Sequence, residues 1–238
     1  MITFVPETGS TNADLCARAA HGRAVEGVWL VADRQTAGRG RQGRTWFDGT
    51  GNFMGSSAVA IRPGDPAPHT LALVAGLAVH DAVSTRVPPP QRAELKWPND
   101  VLVSGAKLAG VLLERSADTV VIGIGVNLAV APPVEGRETI ALSHFGPAPS
   151  RDLFAHDLAD SFASELAAWR AAGLAPIIGR WRALAHPAGT PLLVGEPGEP
   201  ALAGTFAGLD ADGALLLRLA DGTTRTINAG EVRLARPT

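Results

Sequence analysis

Residues 95–126 read LKWPNDVLVSGAKLAGVLLERSADTVVIGIGV. Four short apolar runs, at 95–97, 101–103, 106–114 and 120–126, carry the composition of consecutive strands. Helical patterns lie on both sides of this block. Upstream, residues 13–21 (ADLCARAAH) follow Ser10-Thr11-Asn12 and precede Gly22, a cap signal and a stop signal in the right order. Residues 28–32 and 53–61 add two strands, 34–51 read as a loop, and 69–87 form a long apolar helix ended by Pro88-Pro89-Pro90. Downstream, residues 131–149 are a proline-rich connection. Ser150 can then cap a helix in which Leu153, Phe154, Leu158, Phe162, Leu166 and Trp169 recur at helical steps, and a second helix covers 175–186.

The texture changes at Pro187. Short apolar runs at 192–194, 201–206, 214–219 and 224–227 are separated by the turn pairs Asp212-Gly213 and Asp221-Gly222. Regular short strands with such turns predict a small β-barrel, so the expected domains are 1–186 and 187–238. The length agrees: 238 residues correspond to about 1.6 domains of ordinary size.

Composition excludes several classes. The chain is 46% hydrophobic and 18% charged, which is enough apolar material to bury a core and too little charge for disorder. A net charge of −2 supplies no global field toward nucleic acid or membrane. The single cysteine, Cys16, allows no internal disulfide, and no Cys cluster suggests zinc. No signal peptide or membrane-spanning run is apparent, so a cytoplasmic protein is expected. Glycine, at 27 residues, exceeds the usual share of about 7% and fits a protein that holds a ligand close to its backbone.

Three segments carry the chemistry. Residues 33–46 (DRQTAGRGRQGRTW) place Arg34, Arg39, Arg41 and Arg44 among glycines without an acid between Asp33 and Asp48. Such arginines repel one another, and an anion with several acceptor oxygens relieves that repulsion through bidentate pairing. A solvated loop or a nucleic-acid patch is the alternative. The spacing is neither that of a Walker A loop nor that of a dinucleotide fingerprint. The second segment is Lys96-Trp97-Pro98-Asn99-Asp100 with Lys107-Leu108-Ala109-Gly110. Lys107 opens an apolar strand, either as a ligand contact or as a strand-end charge reaching water, and the Trp-Pro-Asn-Asp run makes a good turn with or without a ligand. The third is Gly123-Ile124-Gly125-Val126-Asn127, where two glycines admit a close approach or mark a bulge.

Taken together and in this order, these segments resemble the bacterial biotin–protein ligase family, over about residues 1–130 by motif and beyond that by architecture. The resemblance implies an α+β fold, a mixed-sheet catalytic domain of the biotin/lipoate ligase type followed by a small SH3-like β-barrel. It implies biotin and ATP as substrates, Mg²⁺ with the ATP, a biotinyl-5′-AMP intermediate, and a lysine of a biotin carboxyl carrier protein domain as acceptor. By family position, biotin would meet Ser10, Thr11, Asn12, Gln35, Arg39, Gly40, Arg41, Lys107, Gly110, Gly123 and Gly125. The nucleotide would meet Arg39, Arg41, Arg44, Trp46, Lys96, Asn99, Asp100, Lys107 and Asn127. Lys107 and Arg39 would act on the reacting groups, with Lys107 bridging carboxylate and α-phosphate. Asp100 is a candidate to take the acceptor amine's proton. Trp97 can wall the site or belong to the core.

Some members of that family carry an N-terminal DNA-binding domain. Here only nine residues precede Ser10, so a ligase without repressor activity is expected, acting as a monomer or weak homodimer. The competing functions are a lipoate- or octanoate-transferring enzyme on the same scaffold, a non-catalytic sensor, and a nucleic-acid module using the arginine loop.

Overall fold

The computed structural model describes residues 1–134, 136–195 and 200–235. The last residues of the expected barrel, 236–238, and residues 196–199 lie outside these ranges. Strand β1 (Ile2–Thr8) leads into helix α1 (Thr11–Ala20), then β2 (Trp29–Gln35), β3 (Phe53–Ala60) and α2 (Leu71–Ser84). The consecutive strands follow as β4 (Ala93–Lys96), β5 (Asp100–Val103), β6 (Ala106–Ser116) and β7 (Thr119–Val126). These seven strands form one sheet in the order β1-β2-β3-β7-β6-β5-β4. It is mixed, because β1 and β2 run parallel while the other neighbours are antiparallel.

Alternation along the strands decides which face is filled. On β7, Val120, Ile122, Ile124 and Val126 belong to the main core, whereas Val121 points the other way and packs with Leu15 of α1 and Leu30 of β2. The main core is roofed by α2, by α3 (Arg151–Ala172) and by α4 (Leu174–Leu184), which bury Trp169 and Trp181 almost completely. Each such large apolar side chain contributes roughly 1.5–3 kcal/mol relative to an exposed one. Ser150 caps α3 by accepting from the Leu153 N–H at 3.5 Å, and Gly173 stops it at φ 73°. A left-handed residue there closes the helix end without a Cβ penalty.

The C-terminal strands are β8 (Pro191–Gly195), β9 (Leu202–Leu209), β10 (Leu215–Arg218), β11 (Thr224–Ile227) and β12 (Glu231–Leu234). They form an antiparallel sheet ordered β11-β10-β9-β8-β12, open between β11 and β12 among the described residues. Its apolar side, including Leu192, Phe206, Leu215 and Val232, is continuous with the main core. Trp97 belongs to that core as well, and its Nε1 donates to the Gly213 carbonyl at 3.0 Å.

Several sequence expectations are corrected. Strands β1 and β12 were not anticipated, since neither shows a clear apolar alternation and both lie at sheet edges. Arg34 and Gln35 end strand β2 rather than opening the loop. The helix expected over 69–87 is shorter, because residues 68–70 form a 3₁₀ turn and α2 ends at Ser84.

Candidate active site

The face of the sheet that carries α1 is only partly filled. Gly110 stands opposite Gly125, and Gly123 lies between Leu112 of β6 and Ser56 of β3. These missing side chains leave a cavity of about 430 Å³, bounded by the arginine loop, the turn at 98–100 and the start of β12. That volume is within the range of small-molecule sites. The glycines admit protein side chains. A Cβ on Gly123 would lie 2.3 Å from Asn12 Oδ1, one on Gly125 would lie 2.2 Å from the Trp46 ring, and one on Gly110 would lie 2.8 Å from Lys107 Nζ.

One end of the cavity is neutral and polar. Ser10 caps α1, its Oγ accepting from the Ala13 N–H at 3.4 Å. The Thr11 N–H donates to Gln35 Oε1 at 2.8 Å, which joins the first turn of α1 to the end of β2. Thr11 Oγ1 lies 2.7 Å from Ser56 Oγ, and Ser56 donates to Asn12 Oδ1 at 2.6 Å. Asn12 in turn donates to Glu114 Oε2 at 2.7 Å. Ser10, Thr11, Asn12, Gln35 and Ser56 are all buried.

The other end is cationic. The Asp100 carboxylate lies 2.5 Å from Lys107 Nζ, 2.9 Å from Lys96 Nζ and 3.6 Å from an Arg137 nitrogen. Burial alone would raise the Asp100 pKa, but Lys107, then Lys96, then Arg137 outweigh it and hold the carboxyl well below the usual range. Burial pulls the Lys107 pKa below that of an ordinary lysine, and the Asp100 charge opposes this. Lys107 Nζ also lies 5.5 Å from the Trp46 ring centroid, within cation–π range.

The arginine loop folds back on itself. Arg39 bridges Thr45, the Gly40 N–H donates to the Arg44 carbonyl at 2.7 Å, and the Trp46 N–H donates to the Gly38 carbonyl at 2.9 Å. Its cations are anchored at several points. Arg41 donates to Asn99 Oδ1 at 3.1 Å and to the Gly230 carbonyl at 3.4 Å, while Arg44 pairs with Glu231. The Arg39 guanidinium has no ion pair or hydrogen bond among the described residues and lines the cavity.

Comparison with known proteins agrees with this geometry. The model of the biotin/lipoate A/B protein ligase family matches residues 10–127, and that of the biotin protein ligase C terminal domain matches 193–234. The biotin--[acetyl-CoA-carboxylase] ligase of Mycobacterium tuberculosis is 39% identical, over 97% of this chain and 88% of the relative. The enzyme of the same name from Paracoccus denitrificans is 40% identical, over 96% of this chain and 98% of its own. The chain belongs to the biotin–protein ligase family. In structure, the ligase superposes on the biotin protein ligase from Aquifex aeolicus in complex with biotin and ATP, with a TM-score of 0.84 and 27% identity. That alignment covers 98% of this chain and 99% of the Aquifex chain.

All the site residues expected from the ligase resemblance line this one cavity. Their positions divide into two kinds. Thr11, Gln35, Arg39, Lys107 and the glycine faces bound the open space. Asn12, Asn99 and Asn127 are committed to structure: Asn99 Nδ2 donates to the Val111 carbonyl at 2.6 Å, and Asn127 Nδ2 to the Ile140 carbonyl at 3.1 Å. Trp97 does not line the cavity; its place is the core. The sequence reading missed Ser56, Glu114, Arg137 and Glu231. Arg137 lies in the proline-rich connection and Glu231 on the unanticipated β12, and no local spacing marks either.

Proposed function

We propose that this ligase activates biotin with ATP and transfers it to one lysine of a biotin carboxyl carrier protein domain. The observation that carries this reading is one cavity with two chemically opposite ends, joined by Lys107. The cyclic urea of biotin offers N–H donors and a carbonyl acceptor to Ser10, Thr11 and Gln35. Its carboxylate then reaches the cationic end, where Lys107, Arg39, Arg41 and Arg44 receive the triphosphate.

In the first step a biotin carboxylate oxygen attacks the α-phosphorus, and the bond to the pyrophosphate leaving group breaks. Two anions must meet, so fixed positive charge offsets their repulsion and stabilises the charge that develops on phosphorus. Preorganised groups of this kind are typically worth about 10²–10³ in rate each. In the second step the ε-amine of the acceptor lysine attacks the acyl carbon and AMP leaves. That amine must lose a proton. Asp100 suits the first step better than the second, since three cations keep it ionised and make it a weak proton acceptor.

Magnesium accompanies the ATP and offsets phosphate charge. Among the described residues no three His, Cys, Asp or Glu side chains gather to hold a metal. Asp100, already shared by three cations, is the buried carboxylate that could contribute one oxygen.

Residues 1–186 form the catalytic domain and 187–238 the SH3-like domain, which contributes Glu231 to the cavity wall. The ligase works in the cytoplasm as a monomer or weak homodimer without a DNA-binding role. The pairing of Arg41 with Asn99 and Gly230, and of Arg44 with Glu231, within the chain supports the last point. No described helix is long and apolar enough to cross a membrane. Biotin-dependent exchange of labelled pyrophosphate into ATP tests the first step. Exchange with biotin and none with lipoate is expected; exchange with lipoate alone would overturn the assignment.

A further inference from the structure

We infer that Glu114 is a positioning residue that sets the donor and acceptor polarity of the neutral end of the cavity, and thereby selects a cyclic urea over an apolar ring. The inference rests on the biotin reading and deepens it. Glu114 lies on β6, on the cavity face of the sheet, and a carboxylate can only accept hydrogen bonds. Its Oε2 therefore fixes the Asn12 amide with Nδ2 toward itself at 2.7 Å, which leaves Oδ1 to face Ser56. The Ser56 hydroxyl has one proton and gives it to Asn12 Oδ1 at 2.6 Å. Ser56 Oγ must then accept at its 2.7 Å contact with Thr11 Oγ1, so Thr11 is the donor there.

Thr11 spends its only hydroxyl proton in that bond. Gln35 Oε1, 3.1 Å from Thr11 Oγ1, is served instead by the Thr11 N–H at 2.8 Å. Two groups are left for a ligand, acceptor lone pairs on Thr11 Oγ1 and the donors of Gln35 Nε2. Each matches one half of a urea, whose N–H groups donate and whose carbonyl accepts. A dithiolane ring offers neither. The relay runs one way, Thr11 to Ser56 to Asn12 to Glu114, because only its last member is charged. Gly123 is part of the same device, since a Cβ there would lie 2.3 Å from Asn12 Oδ1.

Hydrogen bonds to a charged group are the strong ones, so neutralising this anchor should weaken ligand binding more than it alters chemistry. The test is steady-state pyrophosphate exchange by the full chain and by Glu114→Gln, with biotin and with biotin methylated on each ureido nitrogen. For E114Q the biotin KM should rise about tenfold, with kcat within about threefold and the ATP KM unchanged. The wild-type preference for biotin over the methylated analogues should also shrink at least about fivefold, because the acceptor is no longer imposed. Ser56→Ala breaks the same relay at its middle and should give the same pattern, so it carries the test if E114Q does not fold. An unchanged biotin KM in a folded variant would overturn the inference. So would a KM that rises equally for biotin and its analogues, which is what a merely structural role predicts. If the wild-type chain shows no biotin-dependent exchange, the biotin reading itself fails, and that outcome is distinct.

Discussion

Lys107 Nζ and Asp100 Oδ1 lie 2.5 Å apart, and the same carboxylate also faces Lys96 and Arg137. One buried anion thus holds three cations at one end of the cavity, where the proposed reaction brings two anionic substrates together. The excess of positive charge is the resource for the reaction, and Asp100 is what allows it to be stored in a folded chain.

In the proposed reaction Lys107 must be protonated to hold both carboxylate and phosphate, and burial draws its pKa below the ordinary lysine value. Biotin-dependent exchange should therefore fall on an alkaline limb that lies below about 10.4, the ordinary value. Lys107→Arg should move that limb upward, because a guanidinium does not deprotonate in this range. Lys107→Ala should reduce adenylate formation by orders of magnitude at every pH, as measured by exchange.

Removing the shared anion leaves buried charges unpaired. Asp100→Asn should destabilise the fold at neutral pH by about 3–5 kcal/mol, read from urea unfolding. The sign with pH follows from the depressed carboxyl. The stabilisation that the wild type gains from Asp100 is complete above the unfolded value near 3.9 and is lost as pH falls through the folded value. The gap between wild type and D100N should therefore stay constant from about pH 4 to neutral pH and narrow below it.

The glycine face predicts a sharper separation of stability from binding. A Cβ on Gly125 would lie 2.2 Å from the Trp46 ring, so the half-buried ring must move aside. Gly125→Ala should expel Trp46 from the cavity wall, weakening biotin binding at least about tenfold while the chain still folds. Calorimetric biotin titration and thermal unfolding together check both halves.

Glu231 ties Arg44 and Arg137 to the C-terminal sheet. These pairs are partly exposed, so Glu231→Gln should change stability by less than about 1 kcal/mol. The ATP KM should nevertheless rise severalfold, since two cations lose their fixed positions. The arginine loop should also become more protease-sensitive in this variant, and biotin with ATP should protect it in the wild type.

Much of this was legible in the sequence, for physical reasons. The arginine loop, the Lys96–Asp100 turn and the glycines of β7 are local patterns, and residues close in sequence stay close in the fold. The buried strands and α3 announced themselves through apolar periodicity. What escaped was non-local or weakly patterned. Strand β1 is half exposed and carries Pro6, so no alternation marks it. Glu114 closes the apolar run 106–114, where it reads as an ordinary strand-end charge, and only the approach of α1 gives it Asn12 to hold. Glu231 reaches the cavity because the second sheet packs against the first, which spacing along the chain does not encode.

The central claim is that this cavity carries biotin from ATP-driven activation to a protein lysine. Mass spectrometry of a biotin carboxyl carrier domain incubated with the ligase, biotin and ATP tests it most directly. The account predicts one biotinyl group on a single lysine, dependent on ATP and abolished by Lys107→Ala. An unmodified carrier domain, or one modified equally well by the Lys107→Ala variant, would contradict it.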